Sequence, residues 1–72
     1  MQLRRFTMSE QVFTATDPDG DTLDVQHWAK AQKITVKVLD RDGDFQSVEL
    51  DYGNAAELAT AITGTLAEVA GA

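Results

Sequence analysis

The sequence predicts an α+β fold: a four-stranded antiparallel β-meander of two hairpins, with one C-terminal helix packed on one face of the sheet (ββββα). Two acidic turns share the pattern Asp-x-Asp-Gly-Asp, at residues 17–21 and 40–44. Each turn lies between runs of β-branched and aromatic residues, and Asp-Gly supplies the positive φ angles that hairpin loops need. The last third of the chain instead repeats its apolar residues at helical spacing.

Period-two alternation defines the strands and their faces. The first hairpin joins residues 11–16 to 22–28, and the second joins 34–39 to 45–52. Residues 29–33 contain no β-branched side chain and connect the hairpins, as a loop or a single helical turn. The alternation places one apolar set on the same face of the sheet. That set comprises Leu23, Val25, Ile34, Val36, Val38, Val48 and Leu50.

The helix is predicted to begin at Asn54 as N-cap, with Glu57 three residues later as in a capping box. An apolar stripe follows at spacings of four, four and three residues, and we expect it to cover the apolar face of the sheet. The stripe consists of Leu58, Ile62, Leu66 and Val69. An alternative topology places the two hairpins in different sheets across a dimer.

The length predicts one small domain over residues 11–72, preceded by an extension at residues 1–10 that is mobile or pairs with a sheet edge. A chain of 72 residues buries only about 60% of its unfolded surface. It contains no cysteine and one histidine, so disulfides and a structural metal are poorly supported. Self-association as a homodimer is the remaining way to stabilise so small a fold.

The charge balance limits the classes of partner. Twelve Asp and Glu against six Lys and Arg give a formal charge of −6. This charge disfavours binding to nucleic acid or to an anionic membrane and favours a basic protein. No apolar run is long enough to cross a bilayer, and we expect a cytoplasmic location. No cofactor is predicted.

The acidic turns form the main charged feature. If both hairpins share one sheet, their turns emerge at the same end and gather six aspartates. A calcium-binding EF-hand loop needs glycine at its sixth position, whereas glycine is fourth here, so no such site is predicted. Weak cation binding between the turns remains an alternative. The acidic patch consists of Asp17, Asp19, Asp21, Asp40, Asp42 and Asp44.

Two stretches resemble known protein groups. Residues 15–23, Ala-Thr-Asp-Pro-Asp-Gly-Asp-Thr-Leu, resemble the calcium-associated stretch of bacterial cadherin-like repeat domains. Those domains are longer β-sandwiches, so we interpret this match as convergent turn chemistry. Residues 34–70, an acidic hairpin followed by an alanine-rich helix, are similar to many small uncharacterised proteins of actinobacteria and their phages. That resemblance implies a small protein of the bacterial or host cytoplasm, with no activity to carry over.

The sequence does not indicate an enzyme, and we predict no catalytic residue. His27 shares its face with Leu23 and Val25, which is typical of a packed histidine rather than a general base. The two serines, Ser9 and Ser47, have no neighbouring residue pattern that would activate a nucleophile.

Trp28 falls on the other face of the sheet, together with Lys37 and Leu39. We expect Trp28 to lie near Leu39 and, with Phe13 or Val12 on the adjoining strand, to form an apolar patch with a polar rim. Such a composition is typical of protein interfaces. The alternative is a tryptophan packed locally at the strand end.

The leading hypothesis is a small acidic, non-enzymatic interaction protein that forms a homodimer through its open sheet face or an edge strand. Trp28, Lys37 and Leu39 are the predicted contacts. One alternative is an acidic decoy whose aspartates imitate spaced phosphates and occupy a nucleic-acid-binding or otherwise basic surface. The other is a weak cation-binding module.

Overall fold

The computed structural model describes residues 9–71, which form four strands and one helix. The elements are β1 (Glu10–Thr16), β2 (Thr22–Trp28), β3 (Lys33–Leu39), β4 (Phe45–Asp51) and α1 (Tyr52–Gly71). The strands form a single antiparallel sheet in the order β1-β2-β3-β4, which confirms the predicted ββββα class. The two hairpins therefore share one sheet. Most of the predicted N-terminal extension, residues 1–8, lies outside the described residues.

Both acidic turns have the same backbone structure. In the first turn, Gly20 N donates to Asp17 O at 3.0 Å, and Asp17 N donates to Asp21 O at 2.9 Å. Residues 40–44 repeat these two bonds at 3.0 and 2.8 Å. Gly20 and Gly43 have φ angles of 91° and 95°. This is the three-residue hairpin loop in which a type I turn is followed by a left-handed glycine.

The first aspartate of each turn closes the loop with its side chain. Asp17 Oδ1 accepts hydrogen bonds from the backbone N–H groups of Asp19 at 2.9 Å and Asp21 at 3.0 Å. Asp40 Oδ1 accepts the equivalent pair in the second turn at 2.9 and 3.0 Å. An aspartate that satisfies two loop donors in this way stabilises the turn it begins. The Asp-x-Asp-Gly-Asp pattern that the two turns share thus corresponds to a shared set of hydrogen bonds.

The middle connection is a four-residue turn, residues 29–32, in which Gln32 N donates to Ala29 O at 3.1 Å. Gln32 has a φ of 57°, a left-handed backbone conformation that costs free energy for any residue with a β-carbon. The turn joins Trp28 directly to its antiparallel partner Lys33.

The strand register places the apolar side chains on one face, as predicted. Val36 lies between Val25 and Val48 on the neighbouring strands. A bulge between Gln11 and Phe13 adds one residue to β1, so that Phe13 lies opposite Val25. We call this side the apolar face and the opposite side the polar face. The apolar face contains Phe13, Ala15, Leu23, Val25, Ile34, Val36, Val38, Val48 and Leu50.

The position of α1 corrects the expectation that the helix covers the apolar face. The helix backbone approaches only β3 and β4 within the described chain. Every residue from 56 to 71 is exposed, and Ala55 alone in α1 is half-buried. The physical reason is the junction: β4 ends at Asp51 and α1 begins at Tyr52, so no residue is available to turn the chain back over its own sheet. No helix among residues 9–71 combines the length and apolar character needed to cross a membrane.

The helix N-terminus also differs from the predicted cap. Asp51, rather than Asn54, is the N-cap, because its Oδ1 accepts the Asn54 backbone N–H at 2.8 Å. Gly53 lies inside the first helical turn. Aspartate and asparagine are both favoured at the N-cap position, and the helix begins after the earlier of the two residues, Asp51.

No residue in the described part of the chain is buried. The central strand β2 is half-buried along its length, whereas β1 is exposed throughout. Among residues 9–71, the sheet is therefore held by its hydrogen-bond ladders and cross-strand pairs, without a second layer packed against it. The expected core under the helix does not form among these residues.

Replacing Gly43 by alanine should lower the free energy of unfolding by about 1–2 kcal/mol, because its φ of 95° is left-handed. The matched control is Gly64→Ala, which should raise stability by about 1 kcal/mol since Gly64 lies in α1. An added methyl group meets no atom within 4 Å at either glycine, so only the backbone differs. Urea unfolding at one protein concentration measures both, and equal effects would contradict the turn assignment.

Candidate interaction surfaces

The apolar face, with nine apolar residues, is one of two uncovered apolar surfaces among residues 9–71. The exposed fractions are 52% for Phe13, 48% for Val38 and 60% for Val48. A groove of about 420 Å³ lies along β3 and β4. Its lining combines apolar residues with two carboxylates: Val36, Val38, Val48, Phe45, Gln46, Asp40 and Asp44. Contiguous exposed apolar surface of this kind is typical of interaction sites.

The second apolar surface is the stripe along α1. The exposed fraction rises from 44% at Leu58 through 51% at Ile62 to 62% at Leu66, and it reaches 68% at Val69. The side chains of the stripe are thus more exposed towards the C-terminal end of α1. A helix of this length depends on packing of its apolar stripe for most of its stability. The exposed stripe therefore needs a covering surface.

On the polar face, Trp28 and Lys37 line one shallow depression of about 250 Å³ together with Phe45. Lys37 Nζ lies 5.1 Å from the centroid of the Phe45 ring, a cation–π contact. Trp28 is half-buried. The predicted contacts Trp28 and Lys37 thus line the same depression, to which Phe45 also contributes. The register places Trp28 opposite Lys33, four residues from Lys37 along β3.

Leu39 does not join this depression, which corrects the expected patch. Trp28 lies opposite Lys33 and Leu39 lies opposite Thr22, at opposite ends of the β2–β3 pair. Six residues of strand separate these ends, or about 20 Å. Phe13 also lies on the apolar face because of the bulge in β1. Shared parity placed Trp28 and Leu39 on one face but not at one position along it.

Asp24 is the centre of a hydrogen-bond network on the polar face. Its two carboxylate oxygens accept from Gln11 Nε2 at 2.8 Å and from Gln26 Nε2 at 2.9 Å. These two hydrogen bonds lower the pKa of the Asp24 carboxyl below its ordinary value, and the bond from Gln11 has the larger effect. The positive charge of Lys37, opposite Asp24 on β3, lowers the pKa further. No sequence pattern indicated Gln11, since it reaches Asp24 only through the bulged pairing.

The two acidic turns touch each other at one end of the sheet. Arg41 N donates to Asp21 Oδ1 at 3.2 Å, and a β-carbon on Gly20 would lie 3.2 Å from Arg41 Cβ. The six patch aspartates therefore share one end, with Arg41 between the turns. In residues 9–71 no three carboxylate or imidazole groups are arranged to hold a metal ion.

His27 connects the sheet to the start of the helix. Its Nε2 lies 2.7 Å from Tyr52 Oη, and the two ring centroids are 5.7 Å apart. The histidine is half-buried on the apolar side of β2, opposite Ile34. The sequence predicted a packed histidine but not its partner, because Tyr52 was expected to end β4. This contact holds the first turn of α1 beside the sheet.

Substituting Gln11 by alanine should raise the pKa of Asp24 towards its ordinary value, because the first of its two amide donors is lost. A carboxyl whose pKa is lowered by folding stabilises the fold above its unfolded pKa. That stabilisation is lost as the pH falls below about 4. An NMR titration of the carboxyl measures the shift. Gln46→Ala, a matched change on β4, should leave the pKa of Asp24 unchanged, and equal pKa values in both variants would contradict the network.

None of the protein-family models, curated proteins or solved structures compared with this chain matches it. The family resemblances of the sequence therefore stay predictions, and the functional proposal rests on the surfaces described above.

Proposed function

We propose that this protein is a non-enzymatic interaction module that associates with itself and buries its apolar face in doing so. The observation that carries the proposal is that none of residues 9–71 is buried, although the strands place nine apolar residues on one face. Hydrophobic burial is the dominant favourable contribution to folding. A sheet with one uncovered apolar face lacks most of that contribution until a partner supplies the second layer.

Burial of the exposed apolar side chains favours association over a free monomer. Full burial of a valine or leucine side chain is worth about 1.5–3 kcal/mol. Val48 and Ile62 are each more than half exposed, so most of this stabilisation is unused in one chain. Small chains whose core is insufficient gain stability from disulfides, metals or oligomerisation. This chain has no cysteine, so association is the most accessible of these means.

Association would use surfaces that carry little charge. In β2, β3 and β4, the apolar face presents no Asp, Glu, Lys or Arg side chain. Burying this part of the face therefore leaves no charge without a partner, which would otherwise oppose binding. The one acidic side chain that the register adds to the face is Glu10 of β1, opposite His27 at the end of the sheet. The polar face, with Trp28 and Lys37 in its depression, remains the alternative interface. Leu39 lies at the far end of that face and would contribute to a larger contact only.

Val48→Asp should dissociate the oligomer, because it places a carboxylate on the apolar face, in the middle of β4 and opposite Val36. We expect the dissociation constant to rise about 100-fold or more. The matched control is Ser47→Asp, which puts the same charge one residue away on the polar face, opposite Lys37. Light scattering after size-exclusion chromatography measures the mass against the 7.8 kDa chain.

Trp28→Ala tests the alternative interface in the same experiment. If Trp28→Ala dissociates the oligomer and Val48→Asp does not, the interface lies on the polar face. A wild-type chain that is monomeric at all concentrations and salt levels would overturn self-association.

A second candidate function, an acidic decoy for a basic surface, is favoured by the contact between the two acidic turns. Asp19 and Asp42 sit at the tips of the turns, and the turn hydrogen bonds use the side chains of Asp17 and Asp40 instead. The tip carboxylates can therefore be neutralised while the turns keep their structure.

The double variant Asp19→Asn and Asp42→Asn should weaken binding to a poly-lysine surface, most strongly at low salt. Glu57→Gln with Glu68→Gln removes the same charge from α1 and should have a smaller effect. Surface plasmon resonance at several salt concentrations compares them. Equal weakening by both double variants would show that only the total charge matters and would contradict a specific acidic site.

A further inference from the structure

The junction between β4 and α1 leaves the helix no route onto its own sheet. Asp51 is both the last residue of β4 and the N-cap of α1, with its Oδ1 2.8 Å from Asn54 N. Connections between a strand and a helix that packs on its sheet usually contain two to six residues. Here none is present. Folding back would require unwinding the first turn of α1 and breaking the Asp51 cap.

The uncovered surfaces nevertheless match in size. Twenty residues make α1 about 30 Å long, and a helix is about 10 Å wide. Four strands of seven residues present a face of about 19 by 24 Å, whose diagonal is about 31 Å. One helix can therefore lie along the diagonal of one sheet. Val36, Val38 and Val48 provide an apolar contact surface in the groove on that face, which Asp40 and Asp44 also line.

The area is also sufficient for a stable dimer. A helix strip of about 30 by 10 Å covers about 300 Å² of sheet. Two such contacts, each counted on both surfaces, bury about 1,200 Å², the lower bound of a standard protein interface. A single helix–sheet contact would reach only half of that area. A reciprocal arrangement is therefore favoured over a one-sided one.

The charges on α1 permit this contact. The helix has no basic residue, and its two acidic residues are Glu57 and Glu68. At 100° per residue, both lie on the side of the helix away from the stripe that begins at Leu58. Docking the stripe onto the apolar face therefore buries neither glutamate of α1.

We propose that two copies of the chain form a helix-exchanged dimer, in which α1 of each chain covers the apolar sheet face of the other. Exchange of an identical element is a low-cost route to a dimer, and a connection too short for closure within one chain promotes it. The exchange supplies each sheet with the second layer that its own helix cannot provide. This inference rests on the self-association proposed above and specifies which element covers the face.

The decisive experiment lengthens the junction. Inserting six Gly and Ser residues between Asp51 and Tyr52 adds a span of about 20 Å, enough for α1 to reverse and cover its own sheet. The wild-type chain should have the mass of a dimer, twice 7.8 kDa, whereas the lengthened chain should have the mass of a monomer. The matched control inserts the same six residues in the turn at residues 29–32, where the dimer should persist.

The outcomes distinguish a failure of helix exchange from a failure of self-association. A wild-type dimer that stays dimeric after the junction insertion would overturn helix exchange and leave self-association standing. A wild-type monomer would overturn both and direct attention to residues 1–8 or a foreign protein as the cover of the face. An assembly larger than a dimer would overturn reciprocal exchange.

Cross-linking tests the contact without altering the junction, and the chain contains no native cysteine to interfere. Chains carrying Ile62→Cys and chains carrying Val36→Cys are mixed, partly unfolded and refolded together, and treated with a short bis-maleimide. A covalent heterodimer is expected. Glu68→Cys in place of Ile62→Cys is the control, because that position faces away from the stripe. Equal yields for both helix positions, or no heterodimer, would overturn the proposal.

Discussion

The direct passage from β4 into α1 constrains the whole molecule. Asp51 ends the strand, caps the helix and accepts the Asn54 N–H, so the two elements meet without a flexible residue. The His27–Tyr52 contact then holds the first helical turn against the end of β2, an inner strand. From this junction onwards the exposed fraction of the helix stripe rises. A single residue with two roles thus separates the two apolar surfaces of one chain and makes each available to another molecule.

The parts of the fold that local chemistry determines were predictable from the sequence. The two Asp-x-Asp-Gly-Asp turns, the four strands and the face on which Val36 and Val48 lie all follow from turn preference and period-two alternation. The contact between the two turns also follows, because a meander places alternate loops at one end. These features involve residues close in sequence or in adjacent strands, where one set of preferences dominates.

The remaining features depend on details that alternation does not report. Parity places Trp28 and Leu39 on one face, whereas their separation along the strands is set by the register. The bulge at residues 11–13 moves Phe13 to the apolar face and brings Gln11 to Asp24, and no pattern in β1 signals it. The helix start depended on a competition between two good caps, Asp51 and Asn54. Its outcome removed the loop that a packed helix would have needed.

The lack of basic residues in α1 also shapes the electric field of the molecule. Residues 42–72 contain six acidic and no basic side chains, whereas residues 1–41 contain six of each. The whole formal charge of −6 thus belongs to the second turn, β4 and the helix, and the rest of the chain is balanced. Two approaching copies repel most when their acidic turns meet, because six aspartates and one arginine lie there. They repel least through β1, β2 and β3, whose two acidic and two basic residues cancel. Since long-range charge guides encounter before contact, this distribution disfavours an approach through the turns.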